Sequence, residues 1–107
     1  MVQTTGKNLE IVKKFKERAA RLVDVQRMIF FGSRSKGAFN EDSDFDLIIV
    51  SKDFEDRPFF ERPAALHLSW EEEYPLELIC YTPDELKKKL QNPYSIASEA
   101  VKAGISV

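Results

Sequence analysis

Three short apolar runs, at residues 28–31, 44–50 and 76–81, constrain this chain more than any other feature. They are built largely from Val, Ile, Leu, Phe and Tyr, and each is of strand length and too short for an ordinary helix. The first stops abruptly at Gly32, as a buried strand does when it feeds a tight turn. The second alternates through Asp44, Phe45 and Asp46 before running apolar to Val50, and the third follows directly on Pro75.

The period changes between these runs. From residue 9 to 23, Val12, Phe15, Ala19 and Leu22 recur at three- and four-residue intervals among Lys, Arg and Glu, which predicts an amphipathic helix. Residues 34–39 supply a short helix, and Asn40-Glu41-Asp42-Ser43 is polar turn chemistry. After a loop with Asp53, Asp56 and Pro58, Pro63 sits near the first turn of a helix that pairs Leu66 with Trp70 and ends near Glu73. Thr82-Pro83-Asp84-Glu85 is a complete capping box and predicts a helix to about Leu90. Asn92-Pro93 interrupts it, and Ile96, Ala100 and Val101 mark a last helix closed by Gly104. The order is that of an α/β (α+β) fold, a sheet flanked by helices. At 107 residues, 43% hydrophobic and 32% charged, the chain is expected to form one packed globular domain over residues 1–107.

Charge and composition exclude several classes of function. Sixteen basic against eighteen acidic residues leave a net charge of −2, so no positive field draws a nucleic-acid backbone to the surface, and no stable nucleic-acid binding is expected. Cys80 is the lone cysteine and His67 the lone histidine, which rules out an internal disulfide and a zinc cluster. Residues 3–8 lack a signal-peptide core, and no apolar stretch approaches membrane length. A cytoplasmic protein with no membrane association is expected.

In Phe31-Gly32-Ser33-Arg34-Ser35-Lys36-Gly37 a strand ends in a glycine that lets a ligand approach the backbone closely. Ser33 adds a hydroxyl donor, and Arg34 and Lys36 add positive charge, so Gly32, Ser33, Arg34 and Lys36 are candidate phosphate contacts. A tight turn with a capping serine and solvated basic side chains fits the same residues. Ala38 and Phe39 follow Gly37 where a Walker-type loop needs Lys and Ser/Thr. Asp44 and Asp46, two apart on a strand, face one side together with Ile48. Two such charges roughly 6 Å apart repel by about 3 kcal/mol at an effective dielectric near 20, which a divalent cation would relieve. An exposed acidic strand start is the alternative. Glu77 lies between Leu76 and Leu78 and faces away from both, either as a third acid of the same site or as an outward residue on a half-exposed strand.

Gly32-Ser33, then Gly37, then Ser43-Asp44-Phe45-Asp46-Leu47 together resemble the signature of the polymerase-beta-type nucleotidyltransferase superfamily. The short chain is similar to the minimal nucleotidyltransferase branch, single-domain proteins often paired with a helical partner of the HEPN type. The resemblance implies a mixed sheet flanked by helices, with Gly32 and Ser33 gripping a nucleoside triphosphate beside Arg34 and Lys36. It places two magnesium ions on Asp44 and Asp46 and puts Glu77 at a third acidic position, where members commonly have aspartate. Ser35 and Lys36 depart from the small-residue-plus-arginine pair often seen at those positions. Members of this branch look like antitoxins that transfer AMP from ATP to a tyrosine of the ribonuclease-like partner. A catalytically weak or inactive binding module that neutralises a toxin by contact alone is the other reading, and an oligomer is compatible with either. Elsewhere, His67 reads as a partly exposed helix residue, Cys80 as a buried strand residue, and Phe59, Phe60 and Trp70 as core. Glu71-Glu72-Glu73 and Lys87-Lys88-Lys89 read as solvated helix ends.

Overall fold

Each of the three apolar runs forms a strand: β1 (Arg27–Phe31), β2 (Phe45–Val50) and β3 (Leu76–Tyr81). The computed structural model describes residues 5–37, 39–40 and 42–107. Gln3, Thr4, Ala38 and Glu41, which entered the expectations for the N-terminus, the short helix and the polar turn, lie outside the described residues. A fourth strand, β4 (Ile105–Ser106), completes a mixed sheet of order β3-β2-β1-β4. β1 runs antiparallel to β2 and β4, whereas β2 and β3 are parallel. The parallel pair requires a crossover, which two 3₁₀ turns (Lys52–Phe54 and Phe59–Glu61) and α3 (Arg62–His67) supply.

The remaining helices are α1 (Thr5–Ala19), α2 (Ser33–Lys36), α4 (Pro83–Leu90) and α5 (Ile96–Ala103). They cover both faces of the sheet. On one, Val12, Phe15 and Ala19 of α1 pack with Met28, Phe30, Phe45, Leu47, Ile49 and Cys80. On the other, Leu86 of α4 and Ala97 and Ala100 of α5 pack with Ile29, Ile48, Val50 and Tyr81. β2 is therefore buried on both sides, which is why its sequence runs continuously apolar from Leu47 to Val50.

Several boundaries differ from the sequence expectation for identifiable reasons. α1 ends at Ala19, and the following turn rotates Leu22 to 52% exposure while Val23 takes the buried position. α3 stops at His67, so Trp70 belongs to the succeeding loop. There its indole N–H donates to the Tyr74 carbonyl and its ring meets Phe15 and Phe45 edge-on. Phe59 and Phe60, expected in the core, are 49% and 79% exposed, because the 3₁₀ turn that carries them lies at the margin of the sheet, where Phe59 leans on Tyr81. The capping box of α4 is formed as expected, with Glu85 accepting from the Thr82 N–H and Thr82 accepting from the Glu85 N–H. Buried Arg62 grips that same Glu85 with both terminal nitrogens and also donates to the Cys80 and Arg57 carbonyls, tying α3 to α4.

Gly104 ends α5 in an extended conformation, not a left-handed one. A Cβ there would stand 2.9 Å from the Phe30 carbonyl oxygen, so glycine is needed for close approach to β1. The Val107 N–H then donates to the Met28 carbonyl, continuing the β4 pairing. Among the described residues no helix is long and apolar enough to cross a membrane.

Candidate active site

Strand register assembles the acidic residues. Asp46 lies opposite Phe31 across the β1–β2 pair and beside Glu77 across the parallel β2–β3 pair. Asp44, two residues before Asp46 and just ahead of β2, joins them. One oxygen from each of Asp44, Asp46 and Glu77 can be chosen so that all lie within 4.8 Å of one another. Asp44 and Glu77 are exposed and Asp46 is half-buried. Burial, then the charges of Glu77 and Asp44, push the Asp46 carboxyl up to about 6. Among the described residues none of the three has an ion-pair partner. The cluster is thus a concentrated, half-open set of hard oxygen donors, the kind that suits magnesium together with waters or phosphate oxygens.

Gly32 caps the end of β1 with φ of 80°, a left-handed value that favours glycine. It also abuts Asp46, because a Cβ at this position would collide with the Asp46 carboxylate. The turn is held closed by Ser35, whose backbone N–H and hydroxyl both donate to the Gly32 carbonyl. Gly37, at φ 79°, ends α2 after one turn. Ser33 is half-buried, and its hydroxyl engages no hydrogen-bond partner among the described residues; Lys36 is exposed. A cavity of about 380 Å³ opens beside this turn, lined by Phe31, Gly32 and Lys36 on one side and by Glu99, Ala100 and Lys102 of α5 on the other.

Arg34 is the exception among the expected nucleotide contacts. It is 1% exposed, turned into the interior among Phe39, Phe45 and Tyr74 rather than toward a ligand, because these rings and nearby carbonyls accept its charge. Asn8 of α1, itself buried, donates to the Arg34 carbonyl and accepts from its guanidinium. Sequence reasoning missed Asn8, Glu99 and Lys102. The last two line the cavity because α5 packs against β1 through Ala97 and Ala100, a tertiary placement that no local pattern announces.

Carboxylates gathered against a glycine turn suit transfer chemistry at phosphorus. A family model of the nucleotidyltransferase domain matches residues 12–103, and the chain belongs to that family. A crystal structure of a candidate nucleotidyltransferase from Sulfolobus solfataricus superposes with a TM-score of 0.63, covering 78% of this chain and 75% of that one. Sequence identity is 21%, so the likeness is one of fold. Among curated proteins none matches this chain. The protein is accordingly a transferase of nucleotidyl groups, with a nucleoside triphosphate as the donor its family implies.

Proposed function

We propose that residues 1–107 act as one magnesium-dependent nucleotidyltransferase domain that transfers AMP from ATP to a hydroxyl of a helical, HEPN-type protein partner, as the antitoxin of such a pair. The observation that carries the catalytic part is the convergence of Asp44, Asp46 and Glu77 within 4.8 Å beside the Gly32 turn. These three carboxylates would hold two magnesium ions. When bound, the ions neutralise phosphate charge and favour in-line displacement. Gly32 admits the triphosphate close to the backbone, and the Ser33 hydroxyl is free to donate to it. Lys36 and Lys102, on opposite walls of the same cavity, add positive charge for the phosphates. In the reaction the acceptor oxygen bonds to the α-phosphorus and the bond to pyrophosphate breaks. Glu77, exposed at the rim, takes the hydroxyl proton.

A net charge of −2 supports a protein rather than a nucleic-acid acceptor, and the unpaired thiol of buried Cys80 is consistent with a cytoplasmic setting. A second reading, neutralisation of the partner by contact alone, is favoured by one feature: glutamate stands at position 77, where the superfamily resemblance implies an aspartate. The test is incubation with magnesium, radiolabelled ATP and a co-expressed helical protein of the HEPN type, next to the Asp44→Asn/Asp46→Asn variant. Label on the partner that requires both aspartates establishes the transferase and its acceptor. A stable complex without label leaves the contact-only module.

A further inference from the structure

We propose that Arg34 is the positioning residue of this site, setting the spacing of the three carboxylates from inside the protein without touching substrate. The inference rests on the reading of Asp44, Asp46 and Glu77 as metal ligands and is independent of the acceptor.

The contacts of this one guanidinium fall on every arm of the site. Its Nε–H donates to the Ser43 carbonyl at 2.7 Å and an Nη2–H to the Asn40 carbonyl at 3.2 Å, fixing the turn that delivers Asp44. Its carbon lies 4.6 Å from the centroid of the Phe45 ring, the residue between Asp44 and Asp46. It lies 4.4 Å from the ring of Tyr74, on the segment that leads through Pro75 into β3 and Glu77. The Arg34 main chain directly follows Ser33 and is anchored to Asn8 of α1 by the 3.2 Å bond from the Asn8 side chain to the Arg34 carbonyl. One planar group therefore links the phosphate turn to the segments that lead into β2 and β3, where the three acids stand. Lysine cannot replace it, since the ammonium lacks a fork for two diverging carbonyls and a flat face for the rings. Carbonyl hydrogen bonds and ring faces are also what make a buried cation tolerable there. A cation–π site of this kind could serve stability alone, and the experiment separates the two roles.

Manganese binding to nucleotide-free protein would be titrated by electron paramagnetic resonance for wild type, Arg34→Lys and Arg62→Met. Amide exchange would be followed in parallel at residues 43–46 and 76–78. Arg62 is the control: it is equally an interior arginine, but it grips Glu85 and the Cys80 carbonyl instead of the acidic arms. Arg34→Lys is expected to weaken manganese about tenfold, as loss of a ligand-orienting group does, and to speed exchange in both segments. Arg62→Met should lower thermal stability while leaving manganese affinity close to wild type. Unchanged affinity in folded Arg34→Lys overturns the proposal, as does an equal loss in Arg62→Met. A raised nucleotide KM in Arg34→Lys at unchanged metal affinity also overturns it, since that would mark a substrate contact. If Arg34→Lys does not fold, Tyr74→Leu decides: it removes one ring face and should weaken manganese in the same direction, and no change overturns the idea. Should wild type itself bind no manganese, the metal reading fails separately. The exchange rates then decide, with faster exchange supporting positioning and unchanged rates refuting it.

Discussion

Replacing Asp46 by asparagine should abolish nucleotide transfer and at the same time stabilise the metal-free fold. The Asp46 carboxyl is raised from 3.8 to about 6 by burial and by its acidic neighbours, so its ionised form opposes folding at neutral pH. Two pKa units correspond to about 3 kcal/mol, and partial exposure of the group screens this to about 1–1.5 kcal/mol. For a domain of this size that is a rise in Tm of roughly 4–10 °C. The sign follows from proton binding: the folded state holds this proton more tightly. The penalty is therefore complete above pH 6, shrinks as pH falls through 6 toward 3.8, and is absent below. Thermal melts of wild type and Asp46→Asn in EDTA at pH 7.5 and pH 5 test this, since their difference isolates one group. The variant should melt higher at pH 7.5, with a smaller margin at pH 5, and magnesium should stabilise only wild type. An asparagine variant that melts at or below wild type in EDTA at pH 7.5, or a margin that grows on acidification, would refute the reasoning.

Three further outcomes are expected. Gly32→Ala drives a methyl into the Asp46 carboxylate at a left-handed position, so it should lose transfer activity and about 1–3 kcal/mol of stability, read by turnover and thermal melts. Lys102→Met should raise the nucleotide KM about five- to tenfold with kcat largely kept, as expected for a phosphate contact across the cavity from Lys36; an unchanged KM counts against that seat. Glu85→Gln should cost about 1–2 kcal/mol by weakening the Arg62 grip. Because the hydrogen bonds from Arg62 hold the Glu85 carboxyl below its ordinary value, that cost should be full at neutral pH and fade as pH falls through the folded-state value, which urea titrations at pH 7 and pH 3 would show.

Features decided within a few neighbouring residues were legible in the sequence. The capping box at Thr82 needs only positions 82–85, and the aiming of Asp44 and Asp46 needs only strand periodicity. Glu77 was readable because its flanking leucines fix its face, although the register that sets it beside Asp46 was not. Arg34 shows where such reading ends. Beside a glycine turn it looked like a ligand contact, and what buries it, Phe45 and Tyr74, lies eleven and forty residues away. Lys102 escaped notice for a related reason, because the helix that carries it is legible locally but its packing beside β1 and the Gly32 turn is not. Leu22 and Phe59 were misplaced because apolar periodicity does not specify where a helix stops or which segments lie at the margin of a sheet.

β2 has no free face, and this has a bearing on how the enzyme inactivates. Ile48 and Ile49 fill opposite sides of the same strand that carries Asp46, so sliding that strand by one residue would turn an entire apolar set out of its layer. The placement of Asp46 opposite Phe31, next to the Gly32 turn, is consequently inherited from strand pairing in the interior. Gradual loss of activity ahead of unfolding, common where reactive groups ride on surface loops, has no ready route at this aspartate. As denaturant rises, the Asp46–Gly32 geometry and the hydrophobic interior should disappear in a single cooperative step.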